Sequence, residues 1–388
     1  MVDLMSGQGI DHRVALVRCE DYANALQAVS IGVDLLGGVE SFCAPGESLL
    51  LKPNLLLGDS PERGSTTHPE VFKAAARVFS SVGARLYYGD SPGFGSPQGA
   101  VKSSGLAAIA ERFEMQLADF SELVDTPNPD GILIKQFQIA KGLCEVNGVI
   151  NLPKFKTHGL TRLTGAVKNL FGCLPGVQKA AFHARLSDER QFSEMLVDLA
   201  ELINPRLHIM DGILGMEGNG PRNGQLRPVG VILLSTNPHA LDYCVARIMN
   251  LEPSLVPTLR AAQVHGLLNP EGISILGEPL AACVIENFDV NRSKLSTTGA
   301  QRFYMPILNQ WVSPKPVLNV EKCTRCGRCV SICPVNPKAI GFLNGRKQSP
   351  QYNYDRCIRC YCCQEMCPDE AISIKTPLVG RLLNSLKV

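Results

Sequence analysis

Short apolar runs alternate along the first two thirds of the chain with longer stretches whose apolar positions recur at helical spacing. Residues 14–18, 48–52, 85–89, 148–152, 207–210 and 229–234 carry the continuous apolar runs expected of strands covered on both faces. Between them, residues 22–36, 69–82, 100–113, 187–203 and 239–249 read as amphipathic helices. Such alternation predicts an α/β domain built on a mostly parallel sheet with helices on both faces. The rhythm ends near residue 310. Residues 304–316, with Trp311 and three prolines, read as a linker that packs on something, since a lone tryptophan is costly to expose.

Past that linker the chain is organised by cysteine rather than by hydrophobic period. Cys323, Cys326, Cys329 and Cys333 form a C-x2-C-x2-C-x3-C run closed by Pro334; Cys357, Cys360, Cys363 and Cys367 repeat it, closed by Pro368. A short loop around an iron–sulfur cube reaches three corner irons before the backbone must leave, so the fourth thiolate comes from the other run. The pattern assigns Cys323, Cys326, Cys329 and Cys367 to one 4Fe-4S cluster, and Cys357, Cys360, Cys363 and Cys333 to a second. Disulfides or zinc sites are the alternatives, but zinc ribbons pair C-x2-C units rather than use runs of three. Cys362 is surplus to this ligand set and reads as a bystander. Residues 320–340 and 354–372 are an internal repeat, each copy ending in Ala-Ile after its Cys-Pro. The expected organisation is therefore an α/β domain over 1–310 with an anionic-ligand pocket, a small α+β two-cluster ferredoxin-type domain over 311–376, and a tail over 377–388. In that tail Leu378, Leu382, Leu383 and Leu386 suit a short helix docked on its own protein.

Composition narrows the picture only slightly. At 388 residues, 45% hydrophobic and 19% charged, the chain is that of a globular protein, and a net charge of +2 gives no pull toward nucleic acid. No apolar run is long enough for a transmembrane segment, and residues 1–13 lack a secretory core, so a cytoplasmic location is expected. The scattered Cys19, Cys43, Cys144, Cys173, Cys244 and Cys283 read as buried thiols.

The polar motifs of the α/β part collect where strands are expected to end. Residues 151–183 concentrate Lys154, Lys156, His158, Lys168, Asn169, Lys179 and His183 among glycines and prolines, a composition suited to holding phosphate or carboxylate. A solvated loop with scattered lysines is the alternative. Lys52 and Asn54 follow one expected strand, Asp90 another, and the DGILGMEGNGP motif a third. In open α/β sheets ligands bind beyond the carboxyl ends of strands, which makes Asp211 and Glu217 candidates for acid–base or metal roles. Thr67 and His68 precede Pro69, where helix capping explains them as well as chemistry does. The chain has no G-x-x-x-x-G-K-[ST] loop and no G-x-G-x-x-G fingerprint, so ATP and a Rossmann-bound dinucleotide lack support.

KPN at 52–54, TTHPE at 66–70, GDSPG at 89–93, NLPKFKTH at 151–158, TGAVKNLFG at 164–172 and DGILGMEGNGP at 211–221 together resemble the domain-of-unknown-function 362 family, here fused to a two-cluster ferredoxin module. That resemblance implies an architecture and a pocket but no reaction. TTHPE and the helix after it are faintly similar to the lactate racemase superfamily.

The expected function is a cytoplasmic iron–sulfur protein that relays electrons through two 4Fe-4S clusters to or from a small anion bound in the α/β domain. Lys154, Lys156 and Lys168 would hold the anion, and His158 or His183 would move a proton as electrons arrive, histidine titrating near neutral pH. Residues 315–375 hold ten Lys/Arg against five Asp/Glu, a surplus that two oxidised clusters would largely offset. A near-neutral face suits packing on its own domain or meeting a redox partner such as an acidic ferredoxin or a reductase. Two other classes stay open: a non-enzymatic carrier or assembly factor, and an isomerase or racemase whose clusters only brace the fold.

Overall fold

The computed structural model describes residues 10–176, 178–293 and 313–379. The strands in chain order are β1 (Arg13–Arg18), β2 (Ser48–Pro53), β3 (Arg85–Tyr88), β4 (Gln116–Leu117), β5 (Leu123–Pro127), β6 (Gln136–Ala140), β7 (Gly148–Leu152), β8 (Lys154–His158), β9 (Arg162–Leu163), β10 (Leu207–Glu217), β11 (Gln225–Ser235) and β12 (Ser274–Gly277). The main sheet runs β12-β1-β11-β10-β7-β2-β3-β4, with β8 branching from β10 and β9 pairing β8. Its pairings are parallel except where β11 lies antiparallel between β1 and β10, and where β9 returns against β8. The sheet is thus mixed but mostly parallel.

Both faces are covered, which is why the strands read as unbroken apolar runs. Ala15, Val17, Leu49 and Leu51 face a core with the helices α1 (Ala25–Leu35) and α2 (Pro69–Ser80). Their neighbours face the other way. Val14 and Leu16 pack among residues of a later helix, Pro238–Ile248, while Leu50 packs beside Phe192, Leu196 and Leu199 of the helix Glu189–Ile203. This period of two, buried on both sides, fixes the register of the sheet.

Helix ends follow local chemistry. His68 accepts a hydrogen bond from the Glu70 N–H and Pro69 occupies the first turn of α2. Asp188 caps Glu189–Ile203. The helix expected over 100–113 is instead two, α3 (Pro97–Ser103) and α4 (Leu106–Arg112), because Gly105 takes φ +79° between them. The segment after residue 210 also differs from expectation. β10 runs on through Glu217 and turns back into β11, so Asp211 sits inside a strand rather than in a loop beyond one.

The cysteine-rich region forms its own small sheets, β13 (Lys315–Leu318) with β16 (Ile372–Lys375), and β14 (Ile340–Gly341) with β15 (Gln351–Tyr352), both antiparallel. Two short helices follow the second cysteine of each run, Arg328–Ile332 and Cys362–Glu365. The sequence repeat is a backbone repeat too: Arg325 and Arg359, each just before the second cysteine of its run, both take φ +59°. Residues 304–312 of the linker, Trp311 among them, and most of the C-terminal tail, including Leu382, Leu383 and Leu386, lie outside the described residues.

Candidate functional site

The turn between β10 and β11 grips the cysteine-rich module. Gln364 Nε2 donates to the Asn219 carbonyl at 2.9 Å, Asn223 donates to the Gln364 carbonyl at 3.2 Å, and Arg222 donates to the Cys367 carbonyl at 2.9 Å while pairing with Asp59 at 2.6 Å. Gly159 lies against the module here. A side chain at that position would strike Ile374 and Tyr361 of the module. The GNGP part of the motif is thus a docking turn.

Between the two parts lies a cavity of about 720 Å³. Its α/β wall presents Lys156, Lys168, Lys179, His158 and His183; the module contributes Cys333, Cys362, Glu365 and Met366 among others. Of the residues singled out in the sequence, Asn54, Asp90, Lys156, His158, Lys168, Asn169 and His183 line this cavity. Lys52 stands directly behind the wall, its ammonium 2.9 Å from Asp90 and donating to the Asn169 carbonyl at 2.7 Å. Gly172 lets this pair approach, since a Cβ there would collide with Asp90. An amide chain sets the rest: Asn169 donates to Asn151 at 2.7 Å, Asn54 donates to Asn169 at 2.7 Å, and Lys156 donates to Asn54 at 2.7 Å and to the Ser65 carbonyl at 2.6 Å.

Lys154, Asp211 and Glu217 are not in the cavity wall. Lys154 and Lys156, two residues apart on β8, have different partners: Lys154 donates to Asp211 and Tyr22, Lys156 to Asn54 and the Ser65 carbonyl. Lys154 is fully buried and pairs with Asp211 at 2.8 Å; Asp211 also accepts from Tyr22 and from the His68 N–H. Glu217 accepts from the Asp289 N–H at 3.0 Å and faces Arg227. These contacts brace the sheet.

The cavity's cations are poorly neutralised. Lys52 has Asp90, and His158 Nε2 stands 3.0 Å from Glu365. Among the described residues Lys179 donates only to neutral groups, the Ser91 hydroxyl and carbonyl and the Leu174 carbonyl. Lys168 lies 4.4 Å over the Phe171 ring and hydrogen-bonds to no described residue. Burial pushes Lys156 and Lys179 down to about 7 and lowers Lys168 as well. Burial also lowers His158, against the pull of Glu365. Burial would raise Glu365, but His158 and Lys168 hold its carboxyl down at about 2. His183, stacked on Phe192 at 4.4 Å, is pushed down to about 3 by burial and is therefore neutral at physiological pH. Sequence reasoning gave no weight to Glu365 or to Cys362, which lines the cavity next to the cluster cysteines.

The eight cysteines of the two runs line two separate voids. Cys323, Cys326, Cys329 and Cys367 surround one small void; Cys333, Cys357, Cys360 and Cys363 surround another. None is in a disulfide. Among the described residues no three His, Cys, Asp or Glu side chains converge as a single metal ion requires. The thiols instead ring a space, as a polynuclear cluster demands, and they receive donors, among them Ala371 N–H to Cys367, Ala339 N–H to Cys333, and the Tyr352 hydroxyl to Cys363. The donor set fits iron–sulfur clusters. Cys333 lines both the second void and the large cavity.

This fold and these thiols define an iron–sulfur protein with a ferredoxin-like module set against an α/β domain. The family model of the domain of unknown function DUF362 matches residues 49–247 and that of the 4Fe-4S dicluster domain matches residues 315–368. The chain belongs to the DUF362 family. It is 38% identical over 260 residues to Thylakoid-associated protein sll1697 of Synechocystis sp., covering 66% of this chain and 80% of that one. The lactate racemase apoprotein from Thermoanaerobacterium thermosaccharolyticum aligns with a TM-score of 0.39 and 11% identity, over 59% of this chain and only 56% of that one. Among the described residues no helix is long and apolar enough to cross a membrane.

Proposed function

We propose that the protein, acting in the cytoplasm, relays single electrons through two 4Fe-4S clusters to or from an anion held in the cavity between its two parts. The observation that carries this reading is Cys333, a cluster cysteine that is also a wall of the cavity. On this reading residues 1–310 form the ligand-binding unit and residues 311–376 the redox module. Bound clusters supply one-electron chemistry at two successive points. The thiol set of Cys323, Cys326, Cys329 and Cys367 shares its void with module residues alone, so it faces a redox partner such as a ferredoxin or reductase.

The chain's own residues do the rest. Lys156, Lys168 and Lys179 hold the anion by charge, and Asn54 and Asn169 fix Lys156 and the wall behind it. Each electron taken up by the ligand needs one proton for charge balance. Lys156 and Lys179, near 7, are suited to give it, while neutral His183 positions the ligand and His158 stays engaged with Glu365. The test is anaerobic purification followed by mass spectrometry of the small molecules released, before and after reduction by a reduced ferredoxin. The reading expects an organic anion whose mass changes on reduction and which Lys168→Gln protein fails to retain. A protein that carries no anion and passes its electrons only to a protein partner would be a carrier instead.

A further inference from the structure

The cavity is too large and too apolar for the small anion that its lysines suggest. At about 720 Å³ it would hold roughly two dozen waters at liquid density, and it lies in the range of pockets that enclose drug-sized molecules. Inorganic phosphate or a three-carbon acid would leave most of it filled with water against hydrocarbon, an arrangement that favours a ligand with apolar surface of its own. Leu56, Pro92, Phe94, Phe120, Ile332 and Met366 supply that hydrocarbon, from both the α/β domain and the module.

Three donors of the lining hydrogen-bond to no acceptor among the described residues. Lys168 hydrogen-bonds to no described residue, and the charges that act on it are Glu365, Lys52 and Asp90, with the Cys362 thiol beside them. His183 is 5% exposed, lines the cavity, and neither of its ring nitrogens hydrogen-bonds to a described residue; it senses Lys168, Glu365 and His158. Thr164 is 4% exposed, lines the same cavity, and its hydroxyl has no partner. Buried polar atoms are nearly always satisfied, so an imidazole and a hydroxyl without hydrogen-bond partners among the described residues, beside a half-buried ammonium whose one close contact is the Phe171 ring, mark where a ligand's acid group belongs.

We propose that the cavity binds an amphipathic organic acid, a carboxylate or similar oxyanion on a broad, aromatic body, with the acid on Lys168, His183 and Thr164 and the body against the Phe94, Phe120 and Met366 lining. This deepens the redox reading by naming its ligand class, yet binding itself needs no electron. Hydrogen bonds to a charged partner are worth about 1.5–3 kcal/mol, and tenfold in affinity is about 1.4 kcal/mol, so each half of the ligand should matter by about tenfold.

The test is isothermal titration calorimetry on the full chain, prepared anaerobically with its clusters oxidised, using three probes: 2-naphthoate, the neutral 2-naphthalenemethanol, and inorganic phosphate. The expected result is one naphthoate per chain, bound about tenfold or more tighter than either other probe. Lys168→Gln should lose about tenfold for naphthoate alone, and Lys168→Arg should keep it, with iron content confirming that both variants fold. Phosphate binding as tightly as naphthoate would overturn the proposal, as would equal binding of the acid and the alcohol, or no binding by any probe. Naphthoate that binds as expected, in a protein whose clusters exchange electrons with nothing in the cavity, would sink the redox reading and leave this one standing.

Discussion

His158, on a strand of the α/β domain, and Glu365, in the helix between two cluster cysteines, face each other at 3.0 Å with almost no access to solvent. The contact joins the part of the chain that would hold the ligand to the part that would hold the metal. Removing one member of a buried pair leaves the other without compensation, which costs about 3–5 kcal/mol, whereas replacing both often costs little. His158→Gln and Glu365→Gln are therefore each expected to lower the apparent melting temperature of anaerobic protein, and the double variant to lose less than the two together. Strict additivity would show that the contact carries no coupling.

Arg222 tests the docking turn. Its guanidinium lies between Asp59 and the Cys367 carbonyl, and neither charged side chain is more than about a tenth exposed. Arg222→Met leaves Asp59 largely buried with Ser65 as its one hydrogen-bonding side chain among the described residues and the Arg63 charge nearby, so a loss of about 3 kcal/mol in anaerobic denaturant unfolding is expected. Iron content of the folded protein should stay the same, since Arg222 touches the module only through a backbone carbonyl.

Ligand binding should depend on pH through two lysines. Burial holds Lys156 and Lys179 at about 7, below the ordinary 10.5. Lys156 is acted on by Asp59, Lys154, Glu365 and Lys168; Lys179 by Asp90, Lys52, Lys168 and Cys173. A bound anion favours their charged forms and raises both values, so above about 7 binding takes up protons and affinity falls as pH rises. Calorimetry of 2-naphthoate at pH 8, in buffers of different ionisation enthalpy, should reveal net proton uptake. An affinity flat across this range would mean that the two ammoniums do not face the ligand.

The two thiol sets should be separable. Cys326→Ser removes a ligand from the set remote from the cavity, and Cys333→Ser one from the set that forms its wall. Electron paramagnetic resonance of the reduced variants is expected to lose or alter one cluster signal in each case. Only Cys333→Ser should also disturb naphthoate binding. Identical effects from both substitutions would contradict the division.

The 4Fe-4S module was legible because cysteine spacing is a local rule: three thiols on one short loop leave little freedom about what they surround. The main strands were legible for the same kind of reason, since a run buried on both faces is apolar throughout. β8 was not. Its residues KFKTH are all buried, yet they read as polar, because Lys154 and Lys156 are satisfied by Asp211 and Asn54, 57 and 102 residues away in sequence. The docking turn stayed hidden likewise. Glycines at 218 and 220 signal a bend, but only the module's Gln364 and Cys367 explain why the bend carries Asn219 and Arg222. The candidates in residues 151–183 could not be sorted by composition into cavity wall and sheet brace, because Lys154 turns to Asp211 and Lys156 to Asn54, partners distant in sequence.

The most direct measurement is iron and acid-labile sulfide per chain in anaerobically purified full-length protein, with electron paramagnetic resonance of the reduced form. Two 4Fe-4S clusters predict about eight irons and eight sulfides, with signals from two reduced clusters. Protein that folds with zinc in their place, or with four irons or fewer, would contradict the account.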